Sequence, residues 1–223
     1  MRTRWNAIVL AVVAALAGAA AAAAPDGSAA SAREEAAADP VIYLQLIRGM
    51  QQKGLYYASL AHLDAYAARW PDDAAAQVLR AHALRETGAA AAAVQLYRRF
   101  EQGPFAAEES HGLGLIAMRE KRLPEGLAAL ARAAALAPTS RAVLNDLGYA
   151  RLLAGDVDGA RQSLYRAAEL DAGNARVGAN VALLLLLEGR DDAAEGVMQR
   201  YRLPAAACAE IRGLAAAQAG GTK

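Results

Sequence analysis

The sequence predicts an all-α protein made of repeated helix-turn-helix units, and three observations carry that prediction. Of 223 residues, 62 are Ala, the strongest helix former. Val, Ile and Thr together number only 20, and 5% of the chain is aromatic, so a large sheet has little to pack on its pleated faces. Glycines also recur at a fixed interval: Gly54 and Gly88 stand 34 apart, as do Gly155 and Gly189, and 67 residues separate Gly88 from Gly155. Self-similarity at such a period is the mark of a repeat architecture. The same composition excludes other classes. With 24 Lys and Arg against 23 Asp and Glu, the chain lacks the basic excess by which a nucleic-acid binder displaces counterions. One Cys excludes a disulfide framework, a Cys-based zinc site and an iron–sulfur cluster.

The repeats do not begin at the first residue. Met1 to Asn6 carries Arg2 and Arg4 without an acid, Ala7 to Leu16 is an unbroken apolar run, and Ala17 to Ala24 is almost wholly small. That order reads as a secretory signal peptide over residues 1–24 with an A-x-A type cut, so the mature chain is expected in the periplasm. A retained membrane helix is the alternative, because Ala7 to Ala24 has about the length that spans a bilayer, ~18 residues. Leu16-Ala17-Gly18-Ala19 matches the lipobox L-A-G-C except that Ala19 replaces the Cys, and Cys208 lies near the other end, so no lipid anchor is expected. Residues 25–39 change to Pro, Gly, Ser, Ala and charges without apolar periodicity, the composition of a flexible tether.

From residue 40 the units can be aligned on Pro40, Ala74, Ala107, Arg141 and Ala175. Their eighth positions are Ile47, Ala81, Gly114, Gly148 and Ala182, and their twentieth are Ser59, Ala93, Gly126, Ala160 and Ala194. Small residues there let two helix backbones approach. Position twenty-four carries the larger core-filling side chains Leu63, Tyr97, Leu130, Leu164 and Met198. The turn between helices holds Gly54, Gly88, Lys121, Gly155 and Gly189, where glycine permits a left-handed backbone. Pro71, Pro104, Pro138 and Pro204 stop the second helix of a unit.

A period of 34 with these small contact sites resembles the tetratricopeptide repeat (TPR) family. The resemblance implies a TPR solenoid of about five units over residues 40–204. Units four and five fit best; Ile47, Tyr66, Gln77 and Arg80 depart from the family's preferences. Residues 205–219 read as a C-terminal capping helix with Ile211 and Leu214 to bury, and residues 220–223 as a frayed tail.

Side chains that carry chemistry are sparse. His62, His82 and His111 are too dispersed for a helix-borne metal pair, although the repeat frame puts His82 and His111 on the face lining a concave groove. Gly112-Leu113-Gly114-Leu115-Ile116-Ala117 has the spacing of a dinucleotide fingerprint, but it lies where a repeat needs Leu113-Gly114 for helix packing and has no strand before it. No nucleophile elbow, phosphate loop or zinc-protease motif occurs, so catalytic residues, metal ligands and cofactors are all expected to be none. Cys208 reads as a small apolar residue, with an intermolecular disulfide as the alternative in an oxidising compartment.

One apolar feature exceeds what the repeats require. Leu183 to Leu187 is a run of five leucines, which makes its helix apolar all round. In the repeat frame Leu183, Leu186 and Leu187 point into the concave groove beside Asn145, Tyr149, Leu152, Arg176 and Asn180. These eight residues form the candidate partner-binding groove, with Asn amides and an Arg to hold a peptide. The alternative is that the leucines pack against the terminal helix.

Val177-Gly178-Ala179-Asn180-Val181-Ala182-Leu183, Leu187-Glu188-Gly189-Arg190, Ala193-Ala194-Glu195 and Arg202-Leu203-Pro204 resemble the end of the TadD-like proteins of tight-adherence (Flp) pilus assembly. The resemblance implies a non-catalytic exported scaffold that helps an outer-membrane secretin or another pilus component assemble. Such proteins are commonly lipoproteins, and the absent lipobox Cys is a departure. A general periplasmic TPR adaptor in envelope maintenance is the second reading.

Overall fold

A computed structural model describes residues 39–220, and every regular element among the described residues is helical. In chain order these are α1 (Pro40–Gln52), α2 (Tyr56–Arg69), α3 (Ala74–Glu86), α4 (Ala90–Tyr97), a short 3-10 turn (Arg98–Phe100), α5 (Ala106–Arg119), α6 (Leu123–Leu136), α7 (Arg141–Leu153), α8 (Val157–Leu170), α9 (Ala175–Leu187), α10 (Asp191–Arg200) and α11 (Ala205–Gly220). The expected signal peptide, the lipobox-like segment, the tether up to residue 38 and the tail from residue 221 lie outside the described residues. Two compact units divide the chain after Ile116, inside α5.

The helix pairs close by one repeated device. Gly54, Gly88, Lys121, Gly155 and Gly189 all have positive φ, between 62° for Lys121 and 88° for Gly88. After each of them an N–H reaches back to a carbonyl five residues earlier. The pairs are Leu55 to Met50, Ala89 to Leu84, Arg122 to Ala117, Asp156 to Arg151 and Arg190 to Leu185, each at 2.9 Å. This satisfies helix-end carbonyls that would otherwise lack partners and sends the chain into the next helix. Short polar side chains start several helices: Asp39, Asp73, Asp156 and Asn174 each accept a backbone N–H of the first turn.

In the unit up to Ile116, Leu44, Ile47, Leu63, Tyr66, Ala76 and Leu79 pack together, and Ala81, Ala93, Tyr97 and Ile116 form a second cluster. Ile47 and Tyr66 depart from the repeat's preferences in sequence, yet both are fully buried. Ser59 is fully buried as well, and its hydroxyl accepts from Gln51 at 3.0 Å; Gln51 also donates to the Leu79 carbonyl at 2.8 Å. Gly112 lies within α5, where a Cβ would stand 2.1 Å from the Tyr97 ring. Helix packing, not phosphate approach, therefore requires a glycine there.

In the unit from Ala117 onward, one core joins Leu144, Leu152, Ala160, Leu164, Ala167, Val177, Val181, Leu183, Leu184, Met198, Ile211 and Ala215. At the repeat's contact sites Gly148 lies against Leu164, where a Cβ would come within 2.6 Å, and Ala160, Ala182 and Ala194 are fully buried. The terminal helix α11 packs on α9 through its Ile211 and Ala215 side. Among the described residues no helix is long and apolar enough to cross a membrane.

Candidate functional site

The five leucines divide between two environments. Leu183, Leu184 and Leu185 are core residues, Leu183 only 2% exposed, whereas Leu186 and Leu187 are half-buried. Leu152 is also core, at 1%. The expected groove therefore does not display all its members: Leu152 and Leu183 are closed off by their neighbours, α11 among them, and offer a partner almost no surface. An apolar helix cannot declare from its own sequence which of its sides a later helix will cover.

The polar members of the expected groove do meet. Asn180 Nδ2 donates to Asn145 Oδ1 at 2.9 Å, Asn145 Nδ2 donates to Asp146 Oδ1 at 3.2 Å, and Arg176 Nη2 donates to the same oxygen at 2.8 Å. Asn145 is 2% exposed and Asp146 is 5%, while the Arg176 side chain remains 58% exposed. This seam joins α7 to α9 and satisfies groups whose burial would otherwise be costly. Both ends of the Asn145 amide are engaged within the protein, so Asn145 acts as a tie between helices. Tyr149 is half-buried next to the seam, and burial raises its hydroxyl pKa against the opposing pull of the Arg176 charge. Asp146 completes the seam, although no motif in the sequence points to it.

A cleft of about 800 Å³ opens where α7, α8, α9, α10 and α11 converge. Leu152, Leu186, Leu187, Met198 and Ala215 supply apolar wall, and Asp191, Asp192, Glu195, Arg212 and Gln218 supply polar wall. Arg212 on α11 pairs with Glu195 on α10 at 2.5 Å, and Gln218 Nε2 donates to the Leu152 carbonyl at 2.6 Å. These two bonds hold the terminal helix over the ends of the preceding helices. Sequence reasoning reached Leu152, Leu186 and Leu187 but missed the acids. The adjacent pair Asp191-Asp192, immediately after the leucine run and its turn, was the available signal.

His62 Nδ1 lies 2.9 Å from the Tyr43 hydroxyl, and the His82 ring centroid is 5.7 Å from that of Tyr97. Cys208 is a free, half-buried thiol that packs on the core, its sulfur 3.7 Å from the Leu203 carbonyl.

No family model matches the chain. The TPR repeat-containing protein PA4299 of Pseudomonas aeruginosa is 33% identical over 164 residues, an alignment that takes in 74% of this chain; the chain spans 65% of that relative's length. Among solved structures, TTC0263, a thermophilic TPR protein of Thermus thermophilus, superposes with a TM-score of 0.63 at 21% identity, over 81% of this chain and 98% of that one. MamA from Desulfovibrio magneticus RS-1 gives a TM-score of 0.53 at 16% identity, over 73% of this chain and 93% of that one. These superpositions show that the chain has a tetratricopeptide-repeat fold.

Proposed function

We propose that this protein is a non-catalytic exported scaffold that assists assembly of a tight-adherence (Flp) pilus or its secretin, holding a partner segment at its C-terminal repeats. One juxtaposition carries the reading. The segments that resemble TadD-like chains, Val177 to Leu183, Leu187 to Arg190 and Arg202 to Pro204, form α9, its turn and the step into α11. Leu187 of these segments lines the cleft, and so do Ala194 and Glu195 of the Ala193 to Glu195 match. The terminal helix there also leaves Leu186 and Leu187 partly uncovered, as a site for a protein segment would. The proposal places the mature chain in the periplasm without a lipid, and detection of a diacylglyceryl group on it would overturn that part.

Deletion of the gene tests the role directly. Loss of secretin multimers or of surface fibres, restored by the intact gene, is the expected result. Unchanged multimers and fibres would overturn the pilus assignment in favour of a general periplasmic adaptor.

A further inference from the structure

We infer that the C-terminal cleft takes a basic amphipathic segment of a protein partner, with apolar side chains against Leu186 and Leu187 and Lys or Arg against Asp191 and Asp192. This rests on the scaffold reading but not on which system the scaffold serves. Charge balance selects the occupant. Three carboxylates and one guanidinium line the cleft, and Arg212 is matched by Glu195, which leaves Asp191 and Asp192 exposed beside an apolar wall. An acidic segment would meet these two carboxylates as like charges, whereas a basic one neutralises them. The wall itself asks for apolar contact, because Leu186 and Leu187 are the two leucines of the run that the terminal helix leaves half-covered. The Arg212–Glu195 pair and the Gln218 bond hold the cleft open before anything enters it, which lowers the ordering cost of binding.

The test uses the full chain and a fluorescein-labelled peptide made only of Leu and Lys with its leucines on one helical face, read by fluorescence anisotropy. A twin with Glu in place of every Lys is the comparison. The Lys peptide is expected to bind at least about tenfold more tightly than the twin, and Asp191→Asn with Asp192→Asn to weaken it about tenfold, with rising salt acting in the same direction. Glu169→Gln, which removes an acid on α8 outside the cleft, is expected to change nothing. Equal binding of the two peptides, indifference to the double substitution, or an equal loss in Glu169→Gln would overturn the inference. A photo-crosslinking residue at Leu187 gives a second readout independent of the double variant's folding: capture of the Lys peptide supports the site, and absence of capture overturns it. Peptide failure alongside loss of secretin multimers on deletion would sink the cleft alone. Peptide binding with multimers intact would sink the pilus role alone.

Discussion

The Tyr66 hydroxyl donates a 2.6 Å hydrogen bond to Oδ2 of Asp73, while Oδ1 of the same carboxylate accepts from the Ala76 N–H at 3.0 Å. One side chain thus closes α2 and starts α3. Burial alone would raise the Asp73 carboxyl, but the hydroxyl and the helix N–H groups outweigh it and hold the pKa below the usual carboxylate value. Removing the hydroxyl with Tyr66→Phe is expected to cost about 1.5 kcal/mol at neutral pH, the lower range for a hydrogen bond to a charged group. A depressed carboxylate contributes stability that is present above its unfolded value near 4 and lost as the pH falls through the folded value. The difference in urea midpoint between the variant and the parent should therefore be smaller at pH 3 than at pH 7. A constant difference at both pH values would contradict the pairing.

His82 governs a separate acid window. Burial first, then the positive charges of Arg85, His111 and Arg48, push its pKa down to about 3. The ring stays neutral in the fold while an unfolded chain takes a proton near pH 6.5, so the unfolded state gains as the pH falls. Stability is complete above about 6.5 and declines below it with a slope approaching about 1.4 kcal/mol per pH unit, until the folded value is reached. Ring proton shifts measured by NMR should be flat from pH 8 to 4.5, and His82→Gln should flatten the stability profile between pH 6.5 and 4.5. A ring that titrates near 6.5 in the native state would refute this.

What the sequence disclosed and what it concealed follow one physical division. Positions whose constraint is local were legible. The turn sites reappear as positive φ, and the eighth, twentieth and twenty-fourth residues of each unit are buried, from Ile47, Ser59 and Leu63 to Ala182, Ala194 and Met198. Even Lys121, which breaks the glycine pattern, takes the left-handed backbone. Positions whose environment is set by a distant element were not. Whether Leu183 faces a groove or a core depends on where α11 lies, and an Ala-rich helix carries little pattern to say which side it presents. Asn145 and Asn180 are adjacent in the repeat frame, but their mutual hydrogen bond, in place of one to a partner, depends on side-chain geometry. Tyr66 looked like a misfit because its hydroxyl's use, seven residues on, is to hold the residue that caps the first helix of the next unit.

Lys121 offers a stabilising substitution. A side chain in the left-handed region costs roughly 1–2 kcal/mol, and glycine returns part of that through its greater freedom when unfolded. Lys121→Gly is expected to gain about 0.5–1 kcal/mol, less whatever the Lys121 side-chain contacts contribute. In a chain of this size that raises Tm by about 2–4 °C at most. Gly155→Lys, at the corresponding turn with φ of 78°, should move Tm the other way. A calorimetric scan in which both substitutions lower Tm equally would show that the turn conformation is not what distinguishes them.

Gly178 carries the last prediction, because two accounts of it differ in what they require. In the repeat pattern it is one small residue among many on α9. In the structure a Cβ there would stand 2.3 Å from Cγ and 2.8 Å from Cβ of Tyr201, at the C-terminal end of α10. A change of ring rotamer can move Cγ but not Cβ, which still stands under 3 Å away, so Gly178→Ala must displace the turn that leads into α11. Overpacking of this kind costs about 1–3 kcal/mol, against the fraction of a kcal/mol that Ala normally gains over Gly inside a helix. If the clash with Tyr201 is the cause, Tyr201→Ala should relieve its closest part by removing Cγ and the ring, and the double variant should be more stable than the sum of the single effects predicts by at least about 1 kcal/mol. Additive effects in a urea double-mutant cycle would mean that the ring does not enforce the glycine. The same displacement would shift the step from Arg202 through Pro204, and with it the Arg212–Glu195 pair at the cleft. Gly178→Ala is therefore expected to weaken the Leu/Lys peptide as well, although Gly178 does not line the cleft.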